Sequence, residues 1–132
     1  MNKKNRKVIA GIFLLAAILL FCVIAPFVVR KSLENRLTVE NRSGVAITHI
    51  TVALSNSVVT SDVITFDNIV PGQTVTSSYI PRGDSSFYIA GELADGTEFK
   101  GSFGYTTNGM TRERAYVTLM PEGKIEFEQK WD

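Results

Sequence analysis

One imidazole, His49, and one thiol, Cys22, are all that this chain offers of the two commonest catalytic and metal-ligating groups. That supply excludes a disulfide framework, a CxxC redox pair and a Cys/His zinc site, and it leaves no recognisable Cys-His or Ser-His-Asp apparatus. Carboxylates are more abundant, with twelve between residues 37 and 132. Two of them could flank a glycosidic bond as an acid/base pair, but no spacing singles out a pair. They are expected on turns and solvent faces of strands. The residues therefore predict a protein without catalytic residues, cofactor or metal site, and without a small-molecule substrate.

Binding chemistry is better represented. Gly104–Arg114 combines two glycines, an aromatic, a methionine and two arginines beside a glutamate. Tyr, Met and Arg are enriched at protein interfaces, and loops on rigid scaffolds carry function. Tyr105, Asn108, Met110, Arg112 and Arg114 are accordingly the expected partner contacts, on a long hairpin loop. Two short motifs compete for notice. Arg82-Gly83-Asp84 spells the integrin tripeptide, yet Gly and Asp also suit a hairpin tip for backbone reasons. Asn41-Arg42-Ser43 is a formal N-glycosylation acceptor.

What positions these residues is a chain of two unlike parts. Val8–Val29 is a run of 22 residues without a charge, bracketed by Lys7 and Arg30. At 1.5 Å per residue it makes roughly 33 Å of helix, enough for a hydrocarbon core of about 30 Å. The run exceeds a signal-peptide apolar region, and Pro26 follows the best cleavage position, Ala25. Phe21 stands where a lipidated Cys22 would need a small residue. An uncleaved signal anchor is expected, with Pro26 kinking rather than ending it. Lys3, Lys4, Arg6 and Lys7 precede the span, and Arg30, Lys31 and Arg36 follow it. This bias favours a cytoplasmic N-terminus. The expected organisation is a basic tail over 1–7, the span over 8–29, a polar stalk over 30–36 and an exported domain over 37–132.

Beyond Leu37 the pattern changes to short alternating runs. Leu37 with Val39, Ile50 with Val52 and Leu54, and Phe87 with Ile89 and Leu93 keep one parity each. So do Phe99 with Phe103, Val117 with Leu119, and Ile125 with Phe127. Period-2 patterning of this kind is the mark of half-buried strands. Turn residues separate the runs at Ser43-Gly44, Pro71-Gly72, Gly83-Asp84, Asp95-Gly96, Asn108-Gly109 and Glu122-Gly123. Seven or eight short strands at this rhythm predict an all-β fold: a small antiparallel β-sandwich of immunoglobulin-like architecture, preceded by one transmembrane helix. A large aromatic inside it, such as Phe103, is expected to belong to the core.

Residues 37–132 carry seven basic and twelve acidic side chains, a net charge of −5, which speaks against nucleic acid. The plan resembles the small single-pass proteins with which bacteria hold a binding domain on the outer face of the inner membrane. It implies lipid contact through residues 8–29 and a protein partner. The expected function is a membrane-anchored extracytoplasmic protein-binding module, of the immunity type that neutralises a periplasm-acting toxin. The alternative is an accessory subunit of a cell-envelope complex, with small residues such as Gly11, Ala16 and Ala17 packing the helix against a partner.

Overall fold

The chain divides between Leu33 and Glu34 into a helical unit and a β unit. The structure, a computed structural model, describes residues 3–56 and 60–132, with side chains from Ile12 to Arg30 and from Leu33 onward. Helix α1 spans Lys3–Leu33 and runs through Pro26. Its segment Ile12–Arg30 is long and apolar enough to cross a membrane. Apolar side chains cover this segment all round, with no polar face. The helix extends into the expected tail at one end and into the expected stalk at the other. Met1 and Asn2 of that tail, and the Gly11 side-chain position, lie outside the described residues.

Eight strands follow: β1 (Asn35–Asn41), β2 (Ile47–Ser55), β3 (Thr60–Ile69), β4 (Thr74–Tyr79), β5 (Ser85–Leu93), β6 (Glu98–Thr106), β7 (Glu113–Leu119) and β8 (Ile125–Trp131). They form two four-stranded sheets, ordered β4-β1-β7-β8 and β3-β2-β5-β6. Strand β1 begins at Asn35, two residues before the expected domain start, because the buried Asn35 takes its place in the first row of the sheet. Not every pair is antiparallel: β1 and β7 run parallel, Arg36 beside Arg114 through Asn41 beside Leu119. Alternation along a strand reports which face is buried, but carries no information on the direction of a neighbour.

Leu37, Val39, Ile50, Val52, Phe87, Ile89, Val117 and Leu119 fill the space between the sheets. An aromatic line crosses it. Tyr79 meets Phe87 edge-on at 5.4 Å between centroids, Phe127 leans on Phe87 at 5.2 Å, and Phe103 stacks on Phe127 at 5.8 Å. Phe103, on the edge strand β6, is half-buried and packs against this core.

Alternation also breaks inside β6, at Gly104. Its φ of +58° is a left-handed conformation, and the register with β5 shifts at this point. A glycine in that conformation is the device of a β-bulge, which re-aims the residues after it. Tyr105 consequently turns outward and Thr106 inward, where it is fully buried. A side chain at Gly104 would collide with the Phe127 ring and the Gln129 amide.

Candidate binding surface

Strand register brings several loops to one end of the β unit, which we term the Asn35 end. Asn35 lies beside Tyr79 on one flank, while Arg36 beside Arg114 and Glu113 opposite Trp131 set the same level across the sheet. In the other sheet Ser85 faces Thr106. Beyond this level lie residues 80–84, 107–112 and Asp132.

Beneath those loops sits a buried carboxylate that sequence reasoning missed. Glu113 is fully buried, although carboxylates were expected on turns and solvent faces. Its Oε2 accepts from the Tyr79 hydroxyl at 2.5 Å and the Thr106 hydroxyl at 2.8 Å. Its Oε1 accepts from the Gln129 side-chain amide. The Glu113 N–H donates to Asn35 Oδ1 at 3.0 Å, and Asn35 Nδ2 donates to the Met110 carbonyl at 2.7 Å. Gln129 also donates to the Tyr105 carbonyl at 2.8 Å and accepts from the Tyr105 N–H, so β8 is stapled to the edge of β6. Five strands of both sheets are thus joined by one polar knot. Every buried side-chain donor and acceptor among the described residues is satisfied, the condition under which such a network rigidifies a fold. The sequence cue was weak: Glu113 shares the parity of Ala115, Val117 and Leu119.

The knot has a pH signature. Burial, and then the bond to the Glu113 carboxylate, push the Tyr79 phenol far above its ordinary range. The folded chain keeps this proton while the unfolded chain loses it above about pH 10. This contribution to stability is therefore fully present below about pH 10 and is lost as pH rises beyond it. Ultraviolet difference absorbance should show one phenol that ionises only as the domain unfolds, and Tyr79→Phe should abolish that step. A Tyr79 that titrates in the folded state would contradict the buried hydroxyl.

The five expected contact residues separate into surface and scaffold. Tyr105 is 54% exposed, and Asn108 and Arg112 are exposed as well. The Tyr105 phenol bonds the Asp84 carboxylate, which raises its pKa, and the Asn108 N–H approaches Asp84 Oδ1 at 3.4 Å. The acid of Arg82-Gly83-Asp84 is therefore turned into its own loop cluster. Met110 is half-buried, held through its carbonyl by Asn35. Arg114 is not a loop residue, because the connection is only 107–112. Arg114 lies in β7, donates to the Glu34 carbonyl at 2.7 Å and pairs with Asp132 at 2.8 Å. It pins the start of β1 and the C-terminus.

Asn41, in the formal glycosylation triplet, is buried. Its Nδ2 donates to the carbonyls of Val45 and Ile69, both at 2.8 Å, and its Oδ1 accepts from Ser43. The triplet is a structural turn whose amide is closed to a glycan in the folded domain.

A second surface lies on the outer face of the β3-β2-β5-β6 sheet. One cross-strand row places Asp67, His49, Glu92 and Glu98 side by side on four strands. A cleft of about 340 Å³ opens among His49, Ala90, Gly91, Glu92, Glu98 and Lys100. Gly91 is one of its lining residues, and a Cβ there would strike the His49 carbonyl and the Phe99 ring. The ion pairs among the described residues are Arg42–Glu40, Arg114–Asp132, Lys124–Glu126 and Lys130–Glu128, and none involves this row. No group of three His, Cys, Asp or Glu among the described residues is placed to hold a metal ion.

No known protein family matches the chain, and no curated protein does. Its fold is similar to the NMR structure of a protein from Eubacterium rectale. That likeness has a TM-score of 0.51 at 13% identity, covering 75% of this chain and 90% of the other. At that identity the two share a β architecture, and nothing about activity follows.

Proposed function

We propose that the chain is a membrane-anchored extracytoplasmic protein-binding module, of the immunity type that neutralises a toxin acting in the periplasm. On this reading α1 is an inner-membrane signal anchor with its N-terminus in the cytoplasm, and Glu34–Asp132 is exported. The observation that supports it best is the acidic row Asp67, Glu92 and Glu98, which has no ion-pair partner among the described residues. Such a face steers a basic protein and raises its association rate. Rigid sheets behind the face keep the entropic cost of binding low.

The test begins with affinity purification of the full chain from detergent-solubilised membranes, followed by kinetics with the partner obtained. Glu92→Lys with Glu98→Lys should slow association at least about tenfold at low salt and flatten its salt dependence. Unchanged association would remove this face from the contact. Alkaline phosphatase fused after Asp132 should be active, and an active cytoplasmic reporter would refute export. The all-round apolar surface of α1 favours a second reading, a subunit of an envelope complex held through its helix. Replacing Ile12–Val29 by an unrelated span of equal length discriminates: toxin neutralisation survives it, and helix-mediated assembly does not.

A further inference from the structure

We propose that Asn108 is a self-modifying site, whose side chain closes onto the Gly109 backbone nitrogen and reopens as aspartate or isoaspartate. The reaction needs only water, and it places a new carboxylate in the loop 107–112. It is independent of any partner and of the membrane.

The bond changes balance without an enzyme. The Gly109 nitrogen attacks Cγ of Asn108, and a carbon–nitrogen bond forms. The side-chain nitrogen leaves as ammonia and takes the Gly109 proton with it. The product is a five-membered succinimide, which water opens at one of its two carbonyls. Cleavage of the new bond gives aspartate in an ordinary main chain. Cleavage of the original peptide bond gives isoaspartate, with the main chain routed through Cβ and Cγ and one carbon longer.

Asn108-Gly109 is the only Asn-Gly pair of the chain. A following glycine has no side chain to shield its nitrogen. The surroundings add no shield either: a Cβ at Gly109 would meet nothing within 4 Å, and both residues are exposed. Neither the Asn108 carboxamide nor the Gly109 N–H makes a hydrogen bond among the described residues; Asn108 is held only through its own N–H, at 3.4 Å from Asp84 Oδ1. Across the turn runs one backbone bond, from the Met110 N–H to the Thr107 carbonyl at 3.1 Å. Rotation that brings the Gly109 nitrogen against Cγ therefore disrupts little, as in other exposed segments with few bonds.

Elsewhere the fold closes the same chemistry. Asn35 and Asn41 are buried, with their carboxamides bonded. Asn56 donates to the Asp84 carbonyl at 3.0 Å. Asn68 precedes Ile69, whose branched side chain crowds its own nitrogen. Asp95-Gly96 is the closest rival, since aspartate can form the same ring with loss of water. Its carboxylate accepts from the Thr97 N–H at 2.9 Å, which holds its pKa below the ordinary carboxylate range. An ionised carboxylate is a poor electrophile, and this one is also tied down.

Conversion adds a negative charge beside Asp84. In the isoaspartyl form it also lengthens the turn leading to Met110, whose carbonyl holds Asn35 at 2.7 Å. Strand β6 ends at Thr106 and β7 begins at Glu113, so the sheets persist.

The full chain is purified in detergent and held for days at physiological temperature, in neutral and in mildly alkaline buffer. Peptide mapping by mass spectrometry should find the amide-to-acid mass gain accumulating at Asn108. Accumulation should be faster in alkali, because the attack needs a deprotonated Gly109 nitrogen. Protein isoaspartyl methyltransferase with S-adenosylmethionine should methylate the aged chain. Asn108→Gln, whose longer side chain would have to close a six-membered ring, should remove nearly all of that methyl uptake. Unchanged circular dichroism checks that the sheets persist. An amide still intact at Asn108 overturns the proposal, as does methyl uptake that Asn108→Gln leaves unaltered or that maps to Asp95. Conversion of Asn35 or Asn41 to the same extent also overturns it, because modification then reports an unfolded chain.

Discussion

Glu113→Ala should be among the most damaging single substitutions in the domain, at roughly 3–5 kcal/mol in denaturant unfolding. The reason is not a lost charge but stranded donors. The hydroxyls of Tyr79 and Thr106 and the amide of Gln129 all point at this carboxylate from different strands. Each buried donor left without an acceptor costs about 1–3 kcal/mol, and the vacated volume adds a cavity term. Water entering the cavity would recover part of that loss, which is why the expected total falls below the simple sum. Glu113→Gln keeps the volume and one acceptor oxygen but sets its own amide hydrogens among donors, so an intermediate cost of about 1–3 kcal/mol is expected. A Glu113→Ala midpoint close to that of the parent would mean that the knot is ornamental, and would remove its rigid support from the Asn35 end.

Nothing in local sequence announces that residue. An inward parity at Glu113 reads equally well as the last exposed position before a strand, because alternation of apolar with polar residues has no symbol for a polar group that faces in. Its donors lie 34, 7 and 16 residues away, so the satisfaction of Glu113 is a property of the assembled sheets. Asn35 escaped for a similar reason. In a polar stretch following a membrane span it looks like stalk, yet it bonds Glu113 and Met110 across separations of 78 and 75 residues.

Central strands were legible where both the pattern and the turns were strong. Leu37–Val39, Ile50–Leu54, Phe87–Leu93 and Val117–Leu119 belong to the four inner strands β1, β2, β5 and β7, whose alternate residues are fully enclosed. All six turn signals fall between strands. Strands β3 and β4 left almost no trace, because each is an edge strand with a single buried apolar residue, Ile69 and Tyr79. An edge has one wet flank and tolerates Ser, Thr and Asp on both faces, which dissolves the period. The surface was legible only by residue type. Tyr105 could be named as an interface residue, but its outward direction depends on the left-handed bulge at Gly104. Arg114 has the same composition signal as Arg112, and only the fold separates the pinned guanidinium from the exposed one.

Phe87→Ala is expected to cost about 3–5 kcal/mol, the range for removing a fully enclosed aromatic. Phe103→Ala should cost only about 1–2 kcal/mol, since part of its ring is already in water. Phe87 is the hinge between two systems: its ring receives the edge of Tyr79 on one side and leans on Phe127 on the other. Tyr79 carries its hydroxyl into the Glu113 knot while its ring packs on Phe87. Truncating Phe87 therefore frees the Tyr79 ring to shift, and the 2.5 Å bond to Glu113 loses its fixed geometry. The two perturbations should not add. In a double-mutant cycle of Phe87→Ala with Glu113→Gln, a coupling of about 0.5–3 kcal/mol is expected, as for residues that share a partner. A Tyr79→Phe background, which keeps the ring and deletes the hydroxyl, should remove most of that coupling. Additive energies in the parent background would show that the aromatic line and the polar knot are held independently, with Tyr79 transmitting nothing between them.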